Sequence, residues 1–175
     1  MRSLCILPGH ISLFARTAVA AALLLGTVSS QASENDPWAS PPSSAESTSF
    51  ADQREAVIWR QDTFDESKSL LRQLRFDIVN QRDLSAAEPR IESLRKMLSA
   101  DNMLPAFIEG SHGSGSDARP EIWEEWDRYR SGFDQLDTDI ATLQEAVSNE
   151  DLRAAAKGLS VVGESCKSCH RGYRY

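Results

Sequence analysis

The sequence predicts an all-α protein, an antiparallel four-helix bundle with a long loop between its second and third helices. Three observations carry that prediction. Apolar residues recur at spacings of three and four in four separate segments from about Ala51 onward, no segment alternates apolar and polar residues with period two, and every link between the segments is short except the second.

The N-terminal region stands apart from this pattern. Residues 1–32 run from Arg2 and Arg16 into the apolar stretch Ala18–Gly26 and close on the small-residue site Ser30-Gln31-Ala32, the pattern of a signal peptide cleaved after Ala32. The apolar run is shorter than the ~20 residues a membrane-spanning helix needs. Residues 33–50 are rich in Ser and Pro without apolar periodicity, which predicts a disordered leader.

Residues 51–175 hold the bundle. In the first helix Val57, Phe64, Leu71 and Ile78 stand seven apart, with Leu74 between the last two. A second helix is expected near Ser85, where Ser85 and Glu88 have capping-box spacing and Pro89 falls in the first turn; Ile91, Leu94 and Leu98 mark its apolar face. Asp101 to Pro120 contains three glycines, Pro105 and several serines and is expected to be an irregular crossover, functional or flexible. Pro120 suits the first turn of a third helix, whose stripe Ile122, Trp126, Tyr129, Phe133, Leu136, Ile140, Leu143 and Val147 repeats without a miss. Ser148 and Asp151 are placed to cap a fourth, with the stripe Leu152, Ala155, Leu159, Val162, Cys166 and Cys169.

Composition narrows the function. The chain is 175 residues long, 41% hydrophobic and 26% charged, which suits one globular domain plus a processed end. Loss of the signal peptide removes Arg2 and Arg16 and leaves 17 basic against 26 acidic side chains, a net charge of −9. Such a surface repels a phosphate backbone, so nucleic-acid binding is not expected. Cys5 would leave with the signal peptide, and Cys166 and Cys169 remain.

Cys166-Lys167-Ser168-Cys169-His170 is a C-x-x-C-H run, the haem-attachment pattern. Two thiols three residues apart on a helix share a face from which they can add to the two vinyl groups of a haem, and the next residue offers an imidazole to the iron. A disulfide is the alternative in an oxidising compartment. A thioredoxin-like redox pair wants a βαβ context, and a structural zinc site wants more ligands than Cys166, Cys169, His170 and the distant His112, itself expected to be a solvated loop residue. One covalently bound haem c is therefore the expected cofactor.

The C-terminal stretch Val162–Arg174, with the motif in the last helix followed by Tyr173-Arg174, resembles the ending of the cytochrome c′ family, the class II c-type cytochromes. The resemblance extends to Arg60-Gln61 and to Asp117-Ala118-Arg119-Pro120-Glu121-Ile122-Trp123, and covers roughly residues 51–175. It implies a haem inside the bundle with the fourth helix proximal and the first distal. By residue matching, Cys166 and Cys169 carry the haem, His170 ligates the iron, and Arg60 and Gln61 contact the propionates. Asp117 also contacts the haem, and Arg174, four residues after His170, returns on a continuing helix to lie beside it.

Phe64 matches the position that faces the sixth site of the iron. Its ring has no lone pair, so a five-coordinate iron is expected, with an apolar pocket open to NO or CO. Met97 and Met103 do not match that position. The functions implied are gas binding and electron transfer without enzymatic turnover, because no histidine accompanies Phe64 and its neighbours Asp62 and Asp65 are expected to face outward. A low-spin electron carrier with a six-coordinate haem is the alternative. A periplasmic location, redox partner proteins, a homodimer and no membrane span in the mature chain complete the expectation.

Overall fold

The structure, a computed structural model, describes residues 36–113 and 115–175. The expected signal peptide lies outside the described residues, as do residues 33–35. Four long helices dominate: α1 (Gln53–Arg75), α2 (Leu84–Met97), then, after the short α3 (Ala100–Met103) and α4 (Glu121–Glu124), α5 (Trp126–Ser148) and α6 (Leu152–Tyr173). Among the described residues there is no β-ladder, only two isolated bridges, Gly113 with Ser116 and Ala118 with Arg174.

Local chemistry explains where each helix starts. Asp52 caps α1 by accepting from the Glu55 N–H at 2.8 Å, and the Glu55 carboxylate reaches back to the Ala51 N–H. Asp83, rather than the expected Ser85 and Glu88 pair, caps α2: its carboxylate accepts from the Ala86 N–H at 3.0 Å and from the Ser85 hydroxyl at 2.7 Å. Pro89 consequently lies inside α2 instead of in its first turn. Asp151 alone caps α6, accepting from the Ala154 N–H at 2.9 Å, while Ser148 is the last residue of α5. The third helix of the sequence pattern is in two pieces, because Glu125 leaves helical geometry at φ −116° and ψ 40°.

α1 widens at its end into a π-helical segment, Phe76–Gln81, and the chain turns at Arg82, which has the left-handed φ of 57°. One further expectation is corrected. Residues 36–50 are not a structureless leader. Trp38 donates its indole N–H to Asp101 and accepts on its carbonyl from the Trp126 indole, Asp36 pairs with Arg130, and the Pro42 carbonyl accepts from the Glu109 N–H at 2.7 Å. Phe50 packs on Trp59 with ring centroids 5.5 Å apart. Trp38, Ala45 and Phe50 are scattered through a polar stretch and give no periodicity, yet each packs against buried residues of the protein.

The first half of the crossover is likewise ordered. Met103, Leu104, Ala106, Phe107 and Ile108 are all buried, as an apolar run of that density requires. From Phe107 to Arg119 the described residues lie outside helices, and Gly110, Gly113 and Gly115 there have positive φ. The core runs between α2, α5 and α6 through fully buried Leu94, Leu104, Leu143 and Val162. Each such side chain contributes roughly 1.5–3 kcal/mol on burial. α5 and α6 are tightly apposed at Gly158, where a Cβ would stand 3.1 Å from the Leu143 Cα.

Candidate functional site

The inner face of α1 does not continue the core. It carries Arg60, Thr63 and Ser67 as buried residues, with Phe64 and Leu71 half-buried, and it looks onto a cavity of about 420 Å³ bounded by α1, α5, α6 and the crossover. That volume lies within the ~300–1,000 Å³ of cofactor and small-ligand sites. All eight residues singled out from the sequence, Arg60, Gln61, Phe64, Asp117, Cys166, Cys169, His170 and Arg174, line it.

α6 supplies the reactive wall. Cys166 and Cys169 are half-buried free thiols, not joined to each other. Burial raises both, Cys169 to about 11, so neither is a thiolate at neutral pH. His170 follows on the same wall, and its pKa lies below the ordinary histidine value because of partial burial, with Arg174 and Lys68 adding to the effect. A neutral ring with an available lone pair is thereby favoured, the form a metal ligand needs. Among the described residues no group of three or more His, Cys, Asp and Glu side chains converges as a metal cage, so the zinc alternative lacks its ligands.

Across the cavity the Phe64 ring meets the His170 ring edge to face, with centroids 6.4 Å apart and planes at 87°. Neither Met97 nor Met103 lines the cavity, and Met103 is fully buried in the core. Asp62 and Asp65 are exposed as expected, yet stand at the rim, where Asp65 pairs with Lys68 at 2.7 Å. His112 is an exposed loop residue stacked on Trp123 at 5.3 Å.

Arg60 is 3% exposed and has no carboxylate partner among the described residues. Its Nη1 donates to the Ala106 carbonyl at 2.9 Å and the Ser111 hydroxyl at 2.8 Å, and its Nη2 to the Ser111 carbonyl at 2.6 Å and the Ser116 hydroxyl at 2.8 Å. The guanidinium also stacks on Phe107, 4.7 Å from the ring centroid. Burial lowers its pKa to about 10, the mark of a cation held without a counter-charge. Gln61 donates to the Gly115 carbonyl at 2.9 Å, so both residues fasten the crossover loop to α1.

Arg174 differs from expectation. α6 ends at Tyr173, and Arg174 is extended at φ −127° and ψ 140°. Its side chain pairs with Asp117 at 2.9 Å, while the Tyr175 N–H donates to the Asp117 carbonyl at 3.0 Å. The turn off the helix therefore ties the C-terminus to the loop. The sequence does not mark Tyr129 or Phe107 as cavity residues, since Tyr129 belongs to the apolar stripe of the third helix and Phe107 to the crossover. They pack together at 5.0 Å and line the cavity opposite the solvent.

A cavity with apolar walls, two thiols and an imidazole on one helix, and a buried cation with no anion beside it among the described residues fits a flat, hydrophobic, carboxylate-bearing macrocycle. Fold and site together define a haem-binding four-helix bundle of the c type. The description of the family model that matches residues 55–174 is cytochrome c′. Cytochrome c′ of Alcaligenes xylosoxydans xylosoxydans is 30% identical over 125 residues, 71% of this chain and 97% of its own length. That of Halomonas halodenitrificans is 31% identical over 74 residues, 39% of this chain and 56% of its own. Among solved structures, the nitrosyl complex of a variant of the Alcaligenes xylosoxidans protein superposes with a TM-score of 0.65 at 28% identity, covering 72% of this chain and 99% of that one. A nitrite complex of another variant gives 0.65 at 28%, with 71% and 98% covered. The chain belongs to the cytochrome c′ family, whose members carry one covalently attached haem c.

Proposed function

We propose that this chain is an exported, periplasmic mono-haem cytochrome whose five-coordinate iron binds small gases such as NO and CO and passes single electrons to partner proteins. Thioether attachment through Cys166 and Cys169 and ligation by His170 follow from the C-x-x-C-H run and from the shared wall these residues form. The haem supplies a ligand-binding, one-electron redox centre. Arg60, with its charge unbalanced, and Gln61 stand where carboxylate groups of the cofactor can be received at the crossover, and the Asp117–Arg174 pair closes that rim.

One observation carries the open-site reading: the side chain facing His170 is Phe64. The described cavity lining holds no methionine and no second histidine, and its one lysine, Lys68, is paired with Asp65. The six-coordinate electron-carrier alternative needs a ligand that this wall does not offer. The nitrosyl and nitric oxide complexes of the Alcaligenes protein support gas as the ligand class. Enzymatic turnover is not proposed, since a distal acid–base histidine is missing beside Phe64. Among the described residues no helix is long and apolar enough to cross a membrane. Export rests on residues 1–32, and a homodimer on family resemblance. Mixing the ferrous protein with CO in a stopped-flow spectrometer tests the reading: a single binding phase linear in CO concentration supports it, and a rate that saturates at the dissociation of a protein ligand contradicts it.

A further inference from the structure

Outside the cavity, α5 and α6 share one buried acid that the site described so far does not use. Asp139 is 9% exposed. Its Oδ1 accepts from the Gln135 amide at 2.9 Å, and its Oδ2 accepts from the Ser165 hydroxyl. Both donors are neutral, and Asp139 forms no ion pair among the described residues. Ser165 and Cys166 both line the cavity, as does Leu136, one turn before Asp139 on α5. The carboxylate thus sits directly behind the wall that carries the first thiol, and its charge reaches that sulfur: after burial, it is a further cause of the raised Cys166 pKa.

We propose that Asp139 is a positioning residue that acts on the haem through Ser165 and Cys166, lowering its reduction potential and biasing the protein towards the ferric state. The inference rests on haem attachment at Cys166. A ferric centre carries one more positive charge than a ferrous one, so a fixed negative charge beside it favours the oxidised form. In a poorly solvated wall that interaction is weakly screened. Burial and hydrogen bonding around a haem are established levers on its potential. The Ser165 hydroxyl fixes the carboxylate against α6, so the charge is held at one place.

Potentiometric titration of the haem-loaded full chain tests this, with Asp139→Asn, Asp139→Leu and the control Glu164→Gln, an exposed acid on α6 paired with Lys167. Asn keeps the polar shape and Leu removes it, so a charge effect moves both. The expected result is an upward shift of the midpoint potential in both Asp139 variants and a much smaller one in the control. A shift in Asp139→Leu alone means altered packing and overturns the proposal, as does no shift in either, or an equal shift in all three. Pyridine haemochrome spectra and the intact mass of the same samples separate this from the haem assignment. Wild-type protein lacking covalent haem would sink that assignment and the inference with it, whereas a loaded wild type with an unmoved potential sinks the inference alone.

Discussion

Arg60 on α1 and Ser111 in the crossover are joined twice, through the Ser111 hydroxyl at 2.8 Å and its carbonyl at 2.6 Å, although 51 residues separate them. The guanidinium is the tie between the helix and the loop that forms one wall of the cavity. Arg60→Lys has too few donors in the wrong geometry, so it leaves buried carbonyls unsatisfied. We expect a loss of about 2–3 kcal/mol in denaturant unfolding and faster proteolysis within residues 109–119. Unchanged stability and cleavage would show that the loop holds without it.

Covalent attachment is tested by ligand removal. With Cys166 and Cys169 both replaced by Ala, the polypeptide should lose all haem colour in acidified organic solvent, while the wild type keeps it. Pigment retained on the double variant would place the attachment elsewhere.

The packed segment 36–50 makes its own prediction. Trp38→Ala removes an indole that donates to Asp101 and packs on the core. The half-buried side chain makes the expected cost about 1–2 kcal/mol, less than for a fully buried one. The denaturant midpoint should fall with little change in slope. An unmoved midpoint would mean that the segment adds nothing to stability.

Asp137 on α5 and Arg95 on α2 make a forked pair at 2.7 and 2.9 Å. Hydrogen bonding to Arg95, and its charge, hold the Asp137 carboxyl below the ordinary carboxylate value. A carboxyl lower in the folded than in the unfolded chain adds stability above the unfolded value near 3.8, and that stability is lost as pH falls through the folded value. Both side chains are over 40% exposed, so the pair is worth under about 1 kcal/mol. Asp137→Asn should be slightly less stable than wild type at pH 7, and the gap should close as the pH falls through the lowered folded value of Asp137. A gap that persists into acid would point to packing rather than charge.

Periodicity made the bundle legible because α5 and α6 bury continuous stripes, Tyr129 to Val147 and Ala155 to Val162. α1 was legible only in part, since its inner face turns towards a cavity and carries Arg60, Thr63 and Ser67 where a core helix would be apolar. The caps at Asp83 and Asp151 show a local limit: an Asp and a Ser compete within a few residues, and spacing alone does not rank them. The packing of segment 36–50 and the burial of Met103, Leu104, Ala106, Phe107 and Ile108 are not legible in the sequence, because their contacts are long-range and leave no repeat. At the site, C-x-x-C-H identified one wall outright, while the Asp117–Arg174 tie required knowing that α6 stops at Tyr173. The charge at Asp139 had no sequence signature at all, being one polar residue beside a stripe that itself repeats without a miss.

The central claim is that Phe64, and no ligating side chain, faces His170 across the iron site. Electron paramagnetic resonance of the ferric protein near neutral pH, read with its optical spectrum, tests it most directly. Wild type should be largely high-spin, and Phe64→Met should move towards low-spin as a thioether becomes available. A wild-type protein that is already low-spin with a methionine-to-iron charge-transfer band would contradict the account, because Met97 or Met103 would then have to reach the iron.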